Sequence, residues 1–306
     1  MFNNFPSIPI FVAVVECGSF SRAAEKLNLT KSAVSKRINH LEDELGIRLI
    51  QRTTRHISLT EAGERYYEHV SKALNFAQQG IDAVAELQGE PRGKLRITAP
   101  MSFGVRHVAP FITEFLAQYP HIELDLQLED RMVDMVAEGY DLAIRIGHLA
   151  DSNLIAKRLT DCHSVLCASP EYLKNHKVPE QPSDLMAHNC IKYTYFRGGN
   201  DWTFLREQQE FKVLPKGNMT VNNSEAIRRT LLSGLGIGQL PTFIVGKDIQ
   251  AGKLVSIMNH YHLPKHAVYA VYPQRKHLPQ KVRLFVDFIA KQYGTPSPYW
   301  DNGVFD

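Results

Sequence analysis

The chain has 306 residues, 44% of them hydrophobic and 22% charged, which is typical of a globular protein with one large or two ordinary domains. It has no run of eighteen apolar residues and no basic N-terminus leading to a small-residue cleavage site, so we expect no membrane span, no export and a cytoplasmic location. Residues 1–60 hold eight Lys and Arg against five Asp and Glu, and the remainder holds 27 of each sign, so the formal charge of +3 lies in this first segment.

Two amphipathic helical patterns follow each other at 19–45, separated by a turn at Asn28-Leu29. The first begins after Ser19, a capping residue, and its apolar positions are Phe20, Ala23, Ala24 and Leu27. The second begins after Thr30, and its apolar positions are Val34, Ile38, Leu41 and Leu45. Small residues at the crossing point allow two helices to approach closely at a steep angle. The pattern therefore predicts a helix-turn-helix whose second helix fits the DNA major groove.

The polar face of the second helix supports DNA binding. Short hydroxyls let a backbone approach bases, and lysines contact guanine or phosphate. The predicted DNA-binding residues are Thr30, Lys31, Ser32, Ser35, Lys36 and Asn39, with Arg52 and Arg55 on a basic wing that Arg48 begins. The acids at 42–44 come where the helix should leave the DNA. A helical bundle with a solvated charged face is the alternative, which the small residues and trailing arginines disfavour.

This segment resembles the N-terminal domain of LysR-type transcriptional regulators. The matching motifs are GSFSRAAEKL at 18–27, SAVSKRINHLEDELG at 32–46 and LIQRTTRHISLTEAG at 49–63. Ile50 stands where the family often has Phe. Lys31 stands where the family commonly has Gln, which replaces a bidentate reader of adenine by a cation suited to guanine or phosphate. The resemblance implies an all-α winged helix-turn-helix domain over 1–60, but it carries over no operator sequence.

Residues 61–87 predict one long helix. This stretch has no proline, and its apolar residues recur every three or four positions at Tyr66, Val70, Ala73, Ala77, Ile81, Val84 and Leu87. Such a helix is about 40 Å long, and a small N-terminal domain cannot cover its whole stripe. We expect an antiparallel helix of a second copy to do so, and the resemblance implies the same dimer, with a tetramer as the larger assembly. The linker helix is assigned to 61–88 and the hinge to 89–93.

Beyond the hinge, strand and helix patterns alternate, which predicts an α/β domain with largely parallel sheets. The predicted strands are 94–98, 122–128, 141–146, 154–159, 163–168, 189–194, 236–240 and 267–272. The predicted helices are 104–118, 132–138, 224–234 and 279–292. The tail at 294–306 has turn residues without a period and is expected to be irregular.

This half resembles the effector-binding domain of the same family through DLAIRIG at 141–147, ASPEYL at 168–173 and LLSGLGIGQLP at 231–241. The resemblance implies a two-lobed fold like that of periplasmic solute-binding proteins over 94–293. With two crossovers, lobe I would hold about 94–162 and 266–292, and lobe II about 163–265.

A ligand site is expected between the lobes, because ligands of open α/β folds bind beyond the carboxyl ends of strands, where helices begin. The predicted effector-binding residues are Pro100, Ser102, Phe103, Arg145, Asn223 and Ser224. The facing helix starts favour an anion, although an uncharged ligand would also satisfy such donors. Simple capping explains Ser102 and Ser224 equally well, and Arg145 could pair with a structural acid. Aromatic residues at 193, 195 and 196 are either an apolar wall or core.

Other motifs give weaker signals. Gly234-x-Gly236-x-Gly238 follows a helix and leads into a strand, the reverse of a dinucleotide fingerprint. No G-x-S-x-G, H-E-x-x-H or P-loop occurs. The cysteines at 17, 162, 167 and 190 form no C-x-x-C pair, and His260-x-His262 alone does not indicate a metal. Cys162 and Cys167 are an oxidant-sensing pair or, more simply, buried core thiols. We expect no metal, no cofactor and no enzyme.

The sequence therefore predicts a cytoplasmic DNA-binding transcriptional regulator, controlled by a small anionic metabolite bound between two lobes. Its predicted partners are double-stranded DNA, the effector, further copies of itself and, for an activator, RNA polymerase. Lobe closure would change the assembly and the bend of the bound DNA. A solute-binding protein or an enzyme with an ancillary helical domain is the alternative, which would need an export signal or a catalytic constellation. A regulator without an effector is a third reading.

Overall fold

The computed structural model describes residues 5–52, 57–86, 90–147, 154–195, 201–274, 278–294 and 297–305. The chain forms two compact units, one of Met1–Gln88 with Val136–Gly139 and the other of Gly89–Met135 with Tyr140–Asp306. No helix among the described residues combines the length and hydrophobicity that a bilayer crossing requires.

The N-terminal domain is built on three helices, which are α1 (Ile8–Cys17), α2 (Phe20–Lys26) and α3 (Lys31–Leu45). Ser19 caps α2 and Thr30 caps α3, because each side chain accepts a backbone N–H of the first turn. Asn28 takes a positive φ of 51° in the turn between them. Ala23 and Ala24 are buried where α2 meets α3. The helix-turn-helix predicted from the sequence is present.

A two-stranded wing follows, made of β1 (Ile50–Arg52) and β2 (Ile57–Leu59), with Ile50 opposite Leu59. Glu42 on α3 holds the base of this wing. Its Oε1 accepts the backbone N–H groups of Leu49 and Ile50, both at 2.9 Å, and its Oε2 accepts Arg48 Nη1 at 2.7 Å. The sequence placed Glu42 with two further acids where the helix should leave the DNA, and it did not indicate this role. The Glu42 carboxylate is buried and satisfies two buried backbone amides.

The long helix α4 (Glu61–Glu86) has two unlike halves. In the first half, Tyr66 packs edge-on against Phe11 and Val70 is 7% exposed within the domain core. In the second half, Phe76, Ile81 and Val84 are each about two-thirds exposed, at 65%, 64% and 64%. The apolar stripe is therefore continuous in sequence, but among its described side chains those of the second half stay exposed on this chain.

The second unit contains two five-stranded sheets, each with helices. Lobe I has strand order β4-β3-β5-β14-β6, made of β3 (Gly93–Ala99), β4 (Ile122–Leu128), β5 (Leu142–Ile146), β6 (Leu154–Cys162) and β14 (His266–Pro273). Its helical segments are α5 (Met101–Phe103), a π-helical turn (Gly104–Val108), α6 (Ala109–Gln118) and α10 (Gln280–Tyr293). Strands β3, β4 and β5 are parallel, so their carboxyl ends share one edge.

Lobe II has strand order β11-β8-β12-β7-β13, made of β7 (Ser164–Ala168), β8 (Cys190–Tyr193), β11 (Thr220–Val221), β12 (Ile237–Pro241) and β13 (Val255–Ser256). Its helices are α7 (Pro170–Asn175), α8 (Ser224–Leu232) and α9 (Thr242–Gln250). A hairpin of β9 (Trp202–Arg206) and β10 (Gln209–Val213) stands apart from the sheet. The predicted two-lobed α/β architecture is confirmed.

Three expectations about this unit are wrong. The sheets are mixed rather than largely parallel, because β14 returns from lobe II and runs antiparallel to both β5 and β6, and β7 runs antiparallel to β12. Residues 132–138 form no helix but lead into a turn at 135–139. Met135 at its start and Tyr140 just after it are anchored in a small apolar cluster.

The tail is the third correction, because part of it is ordered. Tyr299–Asp301 is a short 3-10 helix, and Trp300 is buried with its ring 5.5 Å from Tyr293 and 5.7 Å from Phe103. The turn residues around it gave no periodic pattern, so the sequence did not show that Trp300 belongs to the core of this unit. A fragment that ended at residue 293 would leave that core open.

Candidate functional site

Helix α3 exposes one polar face, because its apolar stripe is buried in the core of the domain. Val34, Ile38 and Leu41 are fully buried, whereas Leu45 is 40% exposed, since the helix ends at Gly46 with a left-handed φ of 67°. The predicted stripe is therefore one residue too long. The opposite face of the first three turns is left to solvent, as a groove-binding helix requires.

The polar face combines cations, hydroxyls and an amide. Lys31 and Lys36 are exposed, and neither forms an ion pair within the described part of the chain. The hydroxyls of Thr30 and Ser32 lie 3.0 Å apart at the helix start, where Thr30 also accepts Ala33 N–H. A shallow concave surface runs along the helix and is lined by Ser32, Ser35, Lys36, Asn39, His40 and Asp43.

The basic wing is described only in part. Arg48, at its base, is ion-paired with Glu42. Arg52 is the last residue of β1, and Arg55 lies outside the described residues. Two of the eight predicted DNA-binding residues therefore have no described side chain. Of the other six, Thr30 caps α3, and Lys31, Ser32, Ser35, Lys36 and Asn39 lie on the helix.

The effector residues of the two lobes meet where α5 faces the start of α8. Asn223 Nδ2 donates to Met101 Sδ at 3.6 Å, so the residue next to Ser102 touches the cap of α8. Asn223 Oδ1 also accepts Ala226 N–H at 3.1 Å, as a capping residue does. Ser102 is buried, and its hydroxyl has no hydrogen-bond partner within the described residues. An unsatisfied buried hydroxyl is costly unless something else completes it.

Asp130 is a component of this gap that the sequence argument missed. Its Oδ1 accepts the backbone N–H of Met101 at 2.9 Å, and Tyr193 of lobe II also bonds to its carboxylate. Burial raises the pKa of Asp130, although the Met101 N–H and Tyr193 oppose the rise. In Tyr193, burial together with the neighbouring Asp130 charge raises the pKa of the phenol. The Asp130 carboxylate thus binds the backbone N–H at the start of α5, which we expected to be open to a ligand.

An ion pair joins the lobes beside this gap. Arg106, in the π-helical turn, donates from both Nε and Nη2 to Glu225 in the first turn of α8, with Nη2 and Oε2 2.9 Å apart. Arg228 lies 3.7 Å from the same carboxylate and pairs with Asp248 of α9 at 2.8 Å. Nothing in the sequence signals this pairing, because Arg106 and Glu225 are 119 residues apart.

His107 fixes a second contact between the lobes. Its Nε2 lies 3.2 Å from the carbonyl oxygen of Phe243 in α9, and its Nδ1 lies 2.6 Å from the Tyr299 hydroxyl. Burial lowers the pKa of His107 to about 4. This imidazole is therefore neutral near pH 7 and serves as part of the aromatic core.

The remaining predicted effector residues are placed unequally. Pro100 directly precedes α5, and Ser224 opens α8. Phe103 is fully buried among core aromatics, so its ring does not face the gap. Arg145 is half-buried and lies opposite Tyr269 of β14. Tyr193 and Tyr195 pack edge-on at 6.0 Å, and Phe196 lies outside the described residues.

The cysteines and histidines show no assembled metal site within the described ranges. Cys162 and Cys167 are buried, and burial raises the pKa of both thiols, to about 12 for Cys167. A raised pKa suppresses the thiolate that reacts with oxidants. The core interpretation of these two residues is the simpler one.

Two family models match the chain. The one described as "LysR substrate binding domain" matches residues 88–294, and the one described as "Bacterial regulatory helix-turn-helix protein, lysR family" matches residues 7–64. The first alone covers more than half of the chain. The two matches follow the same order as the helix-turn-helix and the two-lobed unit.

Known proteins are similar over nearly the whole length. The chain is 37% identical over 291 residues to the HTH-type transcriptional regulator PtxR of Pseudomonas aeruginosa, which covers 95% of this chain and 93% of that protein. It is 36% identical over 296 residues to the HTH-type transcriptional regulator CrgA of Neisseria meningitidis serogroup C, with 96% and 98% covered.

Solved structures agree with these matches. The structure of CrgA from Neisseria meningitidis has a TM-score of 0.62 and 34% identity, and covers 95% of this chain and 99% of that chain. The full-length structure of the Vibrio cholerae virulence activator AphB has a TM-score of 0.61 and 29% identity, with 94% and 98% covered. The chain therefore belongs to the LysR-type transcriptional regulators, DNA-binding proteins in which a helix-turn-helix domain is joined to an effector-binding domain.

Proposed function

We propose that this regulator reads its operator with the polar face of α3, and that it acts in the cytoplasm as a dimer or larger assembly. The exposed ammonium groups of Lys31 and Lys36 supply phosphate or guanine contacts, while Ser32 and Ser35 allow the backbone to come close to bases. Arg52 and Arg55 complete the proposal as flanking backbone or minor-groove contacts. The single observation that carries it is a groove-sized helix with two exposed lysines that form no ion pair with any described residue.

Replacing Ser35 with leucine should reduce the ratio of specific to non-specific DNA affinity, because a larger side chain keeps the helix from the bases. Replacing Lys36 with alanine should instead weaken both kinds of binding and reduce the salt slope by roughly one unit for one lost phosphate contact. Selection of preferred sequences, followed by fluorescence anisotropy at several salt concentrations, measures both effects. Lys174→Ala, at an exposed lysine of α7, is the control. A Ser35→Leu protein with unchanged specificity would contradict this use of α3.

We further propose that a small anionic effector binds in the gap between Ser102 and the start of α8. The buried hydroxyl of Ser102 lacks a partner in the described chain, and the α8 start carries partial positive charge. Asp130 supports the choice of an anion, because its own carboxylate oxygen already binds the Met101 amide. We infer that an effector anion displaces Asp130 or binds beside its protonated form. Arg145 is retained as a proposed counter-charge.

A thermal-shift screen of small carboxylates on the full chain should identify such a ligand. Ser102→Ala should then weaken its binding roughly tenfold, as expected for loss of one hydrogen bond to a charged group. Asp130→Asn should strengthen binding and remove its dependence on pH, because anion binding to the parent should tighten as pH falls and Asp130 gains a proton. Calorimetry across pH checks both, with Asp287→Asn, an exposed acid of α10, as control. Parental affinity in both gap variants would place the site elsewhere.

A further inference from the structure

A cavity lies at lobe II, and its lining shares no residue with the gap between Ser102 and Asn223. Its volume is 330 Å³, within the range of about 300–1,000 Å³ that small-molecule sites occupy. It is bounded by the start of β7, the residues that follow β13, the hairpin residue Phe204, the segment 261–265 and the tail residues Val304 and Phe305.

Part of the cavity wall is made of buried apolar side chains. Phe204, Ile257 and Met258 are all buried and belong to the same core cluster of lobe II. Phe305 differs from these three residues, because its side chain is 59% exposed. Its ring packs edge-on against the imidazole of His163, with the ring centroids 5.4 Å apart. The cavity thus has a buried apolar side and one exposed aromatic side chain that can cover a ring-shaped molecule.

The residues that line the cavity include a positive charge but no negative one. Lys265 is exposed and forms no ion pair within the described residues, and no Asp or Glu is among the residues that line the cavity. His163 Nδ1 lies 2.7 Å from Asp301 Oδ2, so this nitrogen carries the proton and donates it. The other ring nitrogen of His163 then carries no proton and can accept a hydrogen bond, and Ser164 also lines the cavity.

We propose that this cavity binds a small molecule with a ring-shaped apolar body and one anionic group. The body would lie against Phe204 and Met258 beneath Phe305, and the anion would face Lys265. The site borders both connections between the lobes, since His163 directly follows β6 and Lys265 directly precedes β14. A ligand here contacts the two segments whose conformation sets the angle between the lobes, and so provides an input separate from the proposed effector gap.

The probe is 1-naphthoate, whose fluorescence reports binding, titrated into the full-length protein beside its uncharged analogue 1-naphthamide. We expect saturable binding of one naphthoate per chain and several-fold weaker binding of the amide. Lys265→Gln should weaken naphthoate binding roughly tenfold, as the loss of one charge-assisted contact would. Phe305→Ala should weaken both probes. Lys253→Gln, at another exposed lysine of lobe II, and Ser102→Ala should bind naphthoate as the parent does.

Three outcomes would overturn the proposal. The first is no saturable binding up to the solubility limit of naphthoate. The second is parental affinity in both Lys265→Gln and Phe305→Ala. The third is loss of binding in Ser102→Ala, which places the probe in the gap between the lobes. Both altered side chains are exposed, so far-UV circular dichroism and the melting temperature should stay parental and confirm that the variants fold.

Discussion

Glu42→Ala should destabilise the DNA-binding domain by about 2–6 kcal/mol, because two buried amides each lose an acceptor at about 1–3 kcal/mol. The affected N–H groups belong to Leu49 and Ile50, which begin the wing, so DNA binding should be lost as well. Differential scanning calorimetry of the full chain and anisotropy with operator DNA measure the two losses. Glu42→Gln keeps one acceptor oxygen and should show a smaller effect. An unchanged melting transition in Glu42→Ala would contradict this role.

The same carboxylate predicts an acid sensitivity. Burial alone would raise the pKa of Glu42, but the N–H of Ile50, Arg48 and the N–H of Leu49 outweigh it, so the pKa is lowered. A group with a lowered folded-state pKa stabilises the fold above its unfolded pKa of about 4.3 and loses this contribution as pH falls through the folded value. The Glu42→Gln domain should therefore be less stable near pH 7, but lose less further stability on acidification than the parent.

The same charge placed at two positions of α4 should have opposite consequences. Val70→Asp buries a carboxylate in the domain core and should cost several kcal/mol of domain stability. Ile81→Asp alters a side chain that is 64% exposed in one chain, so domain stability should hold while dimer affinity falls. Calorimetry and analytical ultracentrifugation separate the two effects.

Ile81→Leu is the matched control for the second variant, because it keeps the stripe apolar and should leave the dimer intact. The effector-binding domains could also pair, so residual assembly alone does not decide the question. Unchanged assembly together with unchanged operator binding in Ile81→Asp would rule out the α4 dimer.

Local patterns explain why the fold was largely predictable. The period of Val34, Ile38 and Leu41 needs no knowledge of distant residues, and the capping roles of Ser19 and Thr30 depend only on the following turn. Glu42 was not predictable in this way. It precedes two other acids and looks like part of a solvated face, and its partners come from a wing that folds back on the helix.

The residues of the gap between the lobes could be predicted only in part from the sequence. Strands β3 and β4 are parallel with Ala99 opposite Leu128, so the residues that follow them, Met101 and Asp130, are brought together. An acid just after a predicted strand was a signal that could have been used. The Arg106–Glu225 pair joins segments on different sheets, and only the packed structure brings them within reach of each other.

The position of β14 also fixes an order of events on the ribosome. This strand lies between β5 and β6, yet it is made only after every strand of lobe II. During synthesis from the N-terminus, the sheet of lobe II can form while lobe I still lacks β14, the strand between β5 and β6. Lobe I must therefore wait with the edges of β5 and β6 unpaired, and such edges are open to wrong pairing. A pause in translation between residues 241 and 273 would lengthen that vulnerable interval for lobe I and leave the N-terminal domain unaffected.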